Sequence, residues 1–255
     1  MTSKIELILG DCLEKMADIP DGSVDLILAD PPYGTTACAW DSIIPFEPMW
    51  DHLKRAIKPS GAIVMTASQP FTSVLITSNL KMFRYCWVYQ KTKATNYLQA
   101  KKQPMKYHED VCVFYKSLPT YNPQMQDGPV WRRKRGDKNN DTGSVYRNDT
   151  RKQGDVFESS GRYPSSVLEK ISNPSGRGQL HPTQKPVELM EYLIKTYTNE
   201  GETVLDFVMG SGTTGVACKN LNRSFIGIEK DEKYFQISKE RIENTPYQNN
   251  LFEQE

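Results

Sequence analysis

Short apolar runs alternate with segments of helical period along the first third of the chain. Ile5–Gly10 (IELILG) reads as a strand, DCLEKMADI as a short helix and Val24–Asp30 (VDLILAD) as the next strand. In FEPMWDHLKRAIKPSG the apolar residues recur at helical spacing, and Pro59 and Gly61 predict where that helix stops. AIVMTAS then reads as strand, QPFTSVLITSNL as helix and FRYCWVYQK as strand. HEDVCVFYK (His108–Lys116) reads as a further strand. Strands alternating with helices predict a mostly parallel α/β sheet.

From about Ser117 to Leu180 the pattern breaks. Pro, Gly, Asn, Ser and charges dominate there, which predicts a long insertion that is partly loop. Periodicity returns at HPTQKPVELMEYLIKTYT, where Pro186 suits a first helical turn and Val187, Met190, Tyr192, Leu193, Ile194 and Tyr197 supply an apolar face. A strand (TVLDFVM), a glycine-rich turn, a helix (TTGVACKNL), a strand (SFIGIE) and a last helix (DEKYFQISKERI) follow. The chain thus divides into residues 1–116, an insertion at 117–180, and residues 181–255, with no internal repeat.

Composition narrows the setting. A chain of 255 residues can bury a full core. Its five cysteines (Cys12, Cys38, Cys86, Cys112, Cys218) are scattered, in no metal-like spacing, which fits a reducing cytoplasm and predicts no metal. The N-terminus enters a strand pattern at once, unlike a signal peptide, and no apolar run reaches membrane-span length, so no membrane partner is expected. The net charge of +1 conceals an asymmetry. Lys81 to Lys185 holds twenty Lys and Arg against nine Asp and Glu, a net of +11, so the remainder carries −10. A basic middle in an acidic frame suits a polyanion, although a lysine-rich solvated face would look the same by composition.

Two motifs carry chemistry. In DFVMGSGTTG, Gly210, Gly212 and Gly215 stand in G-x-G-x-x-G spacing between a strand and a helix, and Glu229 ends the next strand. That spacing marks a nucleotide-type site in which glycines admit a ligand and the acid takes a ribose hydroxyl. NAD fits poorly. Too few residues follow Gly215 to complete its sheet, and Asp206, ahead of the glycines, would oppose a pyrophosphate but accept an ammonium. The zwitterionic tail of S-adenosylmethionine fits better. The second motif is Asp30-Pro31-Pro32-Tyr33, at the end of a buried strand. Transfer of a methyl group from a sulfonium to an amino group requires the nitrogen to be oriented and its developing charge stabilised. Asp30 and the carbonyl of Pro31 can accept its two N–H groups, the prolines fix that carbonyl, and Tyr33 can stack on a flipped base. Asp-Pro alone would equally form a turn cap; the glycine turn and the tyrosine favour the chemical reading.

With these motifs the sequence resembles the DNA amino-methyltransferases, of the permuted class in which the catalytic tetrapeptide precedes the cofactor motif. The resemblance covers roughly Ile5–Lys116 and His181–Ile242. It implies a Rossmann-like fold with a seven-stranded, mostly parallel sheet, helices on both faces and one reversed edge strand. It also implies S-adenosylmethionine as cofactor, double-stranded DNA as substrate, base flipping, and target recognition by the insertion. Carried over by position, Asp30, Pro31, Pro32 and Tyr33 become the catalytic set. Asp206, Gly210, Ser211, Gly212 and Thr213 would wrap the methionine part, with Asp30 bordering it. Glu229 would take the ribose, and Asp11 would lie near the adenine. His181 and Lys185, in HPTQK, would reach the cofactor's carboxylate end. Phe207 enters this set too, although the family often has D-P-F-x-G here and Val208 occupies the usual phenylalanine position.

A Ser tends to open the tetrapeptide of N4-cytosine enzymes in that class and an Asp that of N6-adenine enzymes, so Asp30 points to adenine, with N4-cytosine as the alternative. Methylation at cytosine carbon 5 is set aside, because no cysteine follows a proline. Methylation of RNA or of a protein glutamine fits the order of parts and the basic insertion less well, and the intact Asp30 and Tyr33 argue against a silent DNA-binding relative. In the insertion, Trp131, Arg132, Arg133, Lys134 and Arg135 are expected to meet phosphates. A homodimer and a cognate restriction endonuclease are further expected partners.

Overall fold

The computed structural model describes residues 3–36, 41–134, 156–169, 171–172 and 184–246. They fall into two compact units, Met1–Asn122 with Ser166–Glu255, and Pro123–Ser165. The described strands are β1 (Ile5–Leu9), β2 (Val24–Ala29), β3 (Ile57–Ala67), β4 (Phe83–Thr95), β5 (Lys106–Phe114), β6 (Gln126–Lys134), β7 (Val156–Arg162), β8 (Val167–Leu168), β9 (Thr203–Asp206) and β10 (Ser224–Glu229). The helices are α1 (Cys12–Lys15), α2 (Phe46–Ala56), α3 (Phe71–Ser78), α4 (Val187–Tyr197), α5 (Thr213–Asn220) and α6 (Glu232–Glu243).

The larger unit is built on one sheet of order β1-β10-β9-β2-β3-β5-β4-β8. Neighbours from β1 through β3 run parallel, and β5 runs antiparallel to both β3 and β4. Eight strands therefore replace the expected seven, and the reversed strand lies inside the sheet instead of at its edge. The eighth strand, β8, pairs with Val88 and Tyr89 on the outer side of β4, covering backbone groups that an edge would leave unpaired, and β5 is interior because β4 pairs along its other side.

Side chains alternate across the sheet. Leu26, Leu28, Val64, Val111 and Val113 pack on one face with Leu189 and Leu193 of α4, Val216 and Ala217 of α5 and Ile242 of α6. Ile27, Ala29, Ile63, Met65 and Cys112 pack on the other with Trp50 and Leu53 of α2, Phe71 and Leu75 of α3 and Cys12 of α1. Each buried strand thus serves two apolar layers, which is why these runs are almost continuously hydrophobic. Polar atoms inside the first layer are matched. Trp87 Nε1 donates to the Tyr197 hydroxyl at 2.7 Å, which also lies 2.9 Å from that of Tyr85.

Two boundaries differ from the sequence reading. Helix α2 ends at Ala56 and β3 begins at Ile57, because Pro59 disfavours helical backbone at the residue before it. Strand β9 stops at Asp206, ahead of the expected FVM extension. The Asp206 carboxylate accepts the Val208 amide at 3.1 Å and turns the chain there.

The smaller unit is a two-stranded antiparallel ribbon of β6 and β7, within the insertion that the sequence predicts to be partly loop. Its register shifts between Asp127 and Trp131, a span that contains Pro129, and a bulge is where a strand tolerates proline. The insertion is not one piece, since Leu168 and Ile171 are buried in the core of the larger unit.

Candidate active site

Four parallel strands end side by side in the order β1, β10, β9, β2, and each end carries an acid: Asp11, Glu229, Asp206 and Asp30. From β9 the chain continues to its neighbour β10, and from β2 it continues to β3 on the other side. The crevice between β9 and β2 is therefore the place where strand order reverses, the usual ligand position in an open α/β sheet. It is here that the glycine turn and the Asp-Pro-Pro-Tyr turn meet.

The glycines divide their work. A Cβ on Gly210 (φ +52°) would meet nothing within 4 Å, so the backbone there borders open space. A Cβ on Gly212 (φ +77°) would come within 2.9 Å of Ser238, and one on Gly215 would come closer still to Ile242. These two let α5 approach α6 closely. Arg241 of α6 ties the turn down by donating to the Ser211 carbonyl and the Thr213 hydroxyl, each at 3.0 Å. Glu229 accepts from the amides of Gly210 and Asp231, both at 2.8 Å. Asp11 accepts from Leu13 N at 3.0 Å and lies 3.3 Å from Lys230 Nζ.

Asp206 is 3% exposed and accepts from Thr214 Oγ1 at 2.6 Å as well as from Val208 N. Burial raises its pKa to about 7; the two hydrogen bonds pull the other way, and the charges of Asp30 and Glu229 add to the rise. Burial likewise raises Glu229 above the ordinary carboxylate range. An acid-lined crevice of this kind suits a ligand with a sulfonium and an ammonium and repels a pyrophosphate.

Phe207 does not stack over this space. It is 1% exposed, within the apolar layer that includes Leu205 and Ile228. Because the chain turns at Asp206, the ring one residue later is directed into the core. That corrects its place in the cofactor set.

Around Asp30 the structure builds a charged network. Asp30 Oδ1 accepts from the Tyr33 hydroxyl at 2.7 Å and from the Thr66 hydroxyl. Oδ2 accepts from Lys185 Nζ at 2.6 Å. The same Nζ lies 3.3 Å from Glu109 Oε2, and Lys91 Nζ lies 2.5 Å from Glu109 Oε1. The sequence reading places Lys185 at the cofactor's carboxylate end; the structure pairs it with Asp30 and Glu109, because its buried ammonium lies between two partly buried acids. Burial alone would favour its neutral form, but Asp30 and Glu109 outweigh that and raise its pKa. Burial would raise Glu109, yet Lys185 and Lys91 hold it below the usual range. Tyr33 stays a neutral donor: burial, then Asp30 and Glu109, push its pKa well up. Its ring stacks on Phe71 at 5.2 Å between centroids, with Lys185 Nζ 5.6 Å from the ring centre.

The loop beyond Tyr33 is held by a residue the sequence reading misses. Asp41 accepts from the amides of Gly34 and Thr35 at 2.9 Å and of Thr36 at 2.6 Å. Burial works to raise its pKa, and the bonds from Thr36, Gly34 and Thr35 overcome this and lower it. Thr66, Lys91 and Glu109 are missed too. Each sits in a strand that looks like ordinary β pattern, and only the pairing of β3, β4 and β5 brings them to Asp30. His181 and Arg135 lie outside the described residues. Trp131, Arg132, Arg133 and Lys134 fall on β6. Among the described residues no cluster of His, Cys, Asp or Glu could hold a metal ion, and no helix is long and apolar enough to cross a membrane.

An open α/β sheet that sets an Asp-Pro-Pro-Tyr turn beside an acid-lined glycine turn defines the class of S-adenosylmethionine-dependent methyltransferases. Residues 24–240 match the DNA methylase family, and the chain belongs to it. It is similar to the type II methyltransferase M.HpaI of Haemophilus parainfluenzae, at 28% identity over 93% of this chain and 74% of that one. It is equally similar, at 28% over 93% and 82%, to the DNA adenine methyltransferase YhdJ of Escherichia coli. Its fold matches the complex of M1.HpyAVI with S-adenosylmethionine at a TM-score of 0.64 and 26% identity, covering 93% of this chain and 98% of the other. The PvuII cytosine-N4 methyltransferase, at 17% identity and a TM-score of 0.68 over 99% and 92%, shares the fold. The chain is thus a DNA amino-methyltransferase, with S-adenosylmethionine as methyl donor and adenine N6 or cytosine N4 as acceptor.

Proposed function

We propose that the protein methylates the N6 amino group of adenine in double-stranded DNA, by direct attack on the donor methyl after the base is flipped out. The observation that carries this reading is the Asp30 turn at the end of β2, directly beside the glycine turn that ends β9. It joins amine acceptor and methyl donor in one crevice.

In this reading Asp30 and the Pro31 carbonyl accept the two N–H groups of the amine. The nitrogen lone pair is released from the ring and aimed at the methyl carbon. As the N–C bond forms, the S–C bond breaks and the sulfonium becomes a thioether; the nitrogen's positive charge is stabilised by Asp30 until a proton leaves to water. Pro32 keeps the turn rigid, and Tyr33 offers a stacking face worth about 1–3 kcal/mol. Asp206 and residues 210–213 would hold the methionine part, Glu229 the ribose and Asp11 the adenine. An Asp at the head of the tetrapeptide and the name of the Escherichia coli relative both favour adenine. The β6–β7 ribbon, with Trp131, Arg132, Arg133 and Lys134, is the proposed contact to DNA phosphates; a homodimer and a cognate endonuclease go with this reading.

The test is to express the protein in cells lacking DNA methylation and sequence their genome with detection of modified bases. N6-methyladenine at one recurrent site is expected. N4-methylcytosine there, or label from the donor appearing only in RNA or protein, would overturn the assignment.

A further inference from the structure

One carboxylate oxygen of the proposed amine acceptor, Asp30 Oδ2, is already engaged by Lys185. Its Nζ bonds to Asp30 Oδ2 at 2.6 Å and lies 5.6 Å from the centre of the Tyr33 ring. An amine acquiring positive charge cannot share that carboxylate oxygen with an ammonium, since two cations there would repel strongly in a site of low dielectric. Lys185 must therefore leave Asp30 when the base enters. A buried ammonium cannot simply be abandoned, and its side chain is only 9% exposed.

The structure provides a second seat. Glu109 Oε2 lies 3.3 Å from Nζ, close enough for an ion pair, yet it is buried and makes no aligned hydrogen bond. The other oxygen, Oε1, is taken by Lys91 at 2.5 Å. Tyr89 of β4 stands opposite Glu109 of β5, so Lys91 is its diagonal neighbour across the strand pair. The side chains of Lys91 and Glu109 are 6% and 14% exposed, so neither can readily turn away to solvent. Lys91 thus fixes Glu109 in the orientation that keeps Oε2 facing Lys185.

We infer that Glu109, held by Lys91, is the seat to which Lys185 moves when the target amine takes Asp30. Glu109 and Lys91 are then positioning residues for methyl transfer. The inference rests on the proposed role of Asp30 as amine acceptor. No bond is made or broken in the exchange: one ammonium passes between two carboxylates, and the charge of the network is conserved.

The experiment compares wild type with Glu109→Gln on two duplexes containing the recognition site. One carries adenine at the target and the other purine, which lacks the 6-amino group. Binding is measured with S-adenosylhomocysteine present, and turnover with S-adenosylmethionine. The variant should bind the adenine duplex more weakly while binding the purine duplex as wild type does. Its kcat should fall by about a hundredfold, with KM for the methyl donor unchanged. Equal weakening on both duplexes, or an unchanged kcat, would overturn the inference. If Glu109→Gln shows no cooperative melt, the same comparison passes to Lys91. Lys91→Met should then lose selectively on the adenine duplex and Lys91→Arg recover it, and absence of that pattern would overturn the inference equally. A wild type that transfers no methyl group to adenine DNA would instead sink the functional reading.

Discussion

Asp30 and Asp206 end neighbouring parallel strands, yet their surroundings are opposite. Asp30 faces a cation, Lys185, and through it a second acid and a second lysine. Among the described residues, Asp206 accepts from neutral donors, the Thr214 hydroxyl and the Val208 amide. Among the described residues an opposite charge pairs with the acid at the β2 end, and none pairs with Asp206. The β2 end is therefore built to keep its charges in place before any substrate arrives. At the β9 end the acid sits near its protonation midpoint, so a cationic ligand can complete its charge balance.

The largest effect that would test this contrast is on stability. Lys185→Met removes the cation shared by Asp30 and Glu109 and leaves two partly buried acids, with Lys91 as the remaining base among the described residues. Breaking such a pair from one side costs about 3–5 kcal/mol. Asp206→Asn leaves neutral partners satisfied by a neutral amide and should cost at most about 1 kcal/mol. Denaturant unfolding of the two variants side by side checks the difference, and equal costs would erase the contrast. Next is activity. Asp30→Asn keeps the side chain's shape but removes the charge that stabilises the transferring amine, so kcat should drop roughly 10²- to 10³-fold with donor affinity retained. A matching loss of donor binding, measured by calorimetry, would show that Asp30 serves the cofactor instead.

The two ends also differ in how much the sequence discloses. DPPY and GSGTTG are local signals, and the alternation of apolar runs is enough to place both at the ends of strands. The acids Asp11, Asp206 and Glu229 are legible for the same reason, since each terminates a hydrophobic run. Lys185 stands out in HPTQK, but its pairing with Asp30 and Glu109 is not legible there, because nothing local reveals that α4 begins beside β2. Glu109 and Lys91 are invisible as site residues: HEDVCVFYK and FRYCWVYQK read as ordinary strands, and only the reversal of β5 between β3 and β4 makes the pairing. Phe207 is misplaced through geometry, since one aspartate-capped turn decides whether the next ring points up or into the core. Sequence pattern reports faces and ends of elements; it does not report which neighbour lies across them.

A smaller effect belongs to the loop that follows Tyr33. Asp41→Ala would remove the acceptor of three backbone amides on exposed residues, where water can replace it, a cost of about 0.5–1.5 kcal/mol. Because hydrogen bonding lowers the folded-state pKa of Asp41, its contribution is present above the unfolded carboxylate range and is lost as pH falls through the folded value. The stability of wild type and Asp41→Ala should therefore converge in acid. A gap that stays constant down to low pH would mean the loop is held by something else.

The finest test is the pH dependence of donor binding. The folded pKa of Asp206, about 7, lies above the value of roughly 3.9 expected in the unfolded chain. Between those values the folded protein holds a proton that the unfolded chain has released, so this group makes stability fall as pH rises from about 4 to about 7. Donor binding should run the other way. The ammonium of S-adenosylmethionine prefers the ionised carboxylate, so affinity should rise with pH up to about 7, by at most tenfold per unit, and then level off. Asp206→Asn should flatten the rise while leaving the Lys185–Asp30 pair unaffected. A wild-type affinity that ignores pH between about 5.5 and 7.5, a range that brackets that midpoint, would show that the carboxylate does not meet the ammonium. The β9 aspartate would then be a residue that shapes the turn, and the division of labour between the two strand ends would rest on Asp30 alone.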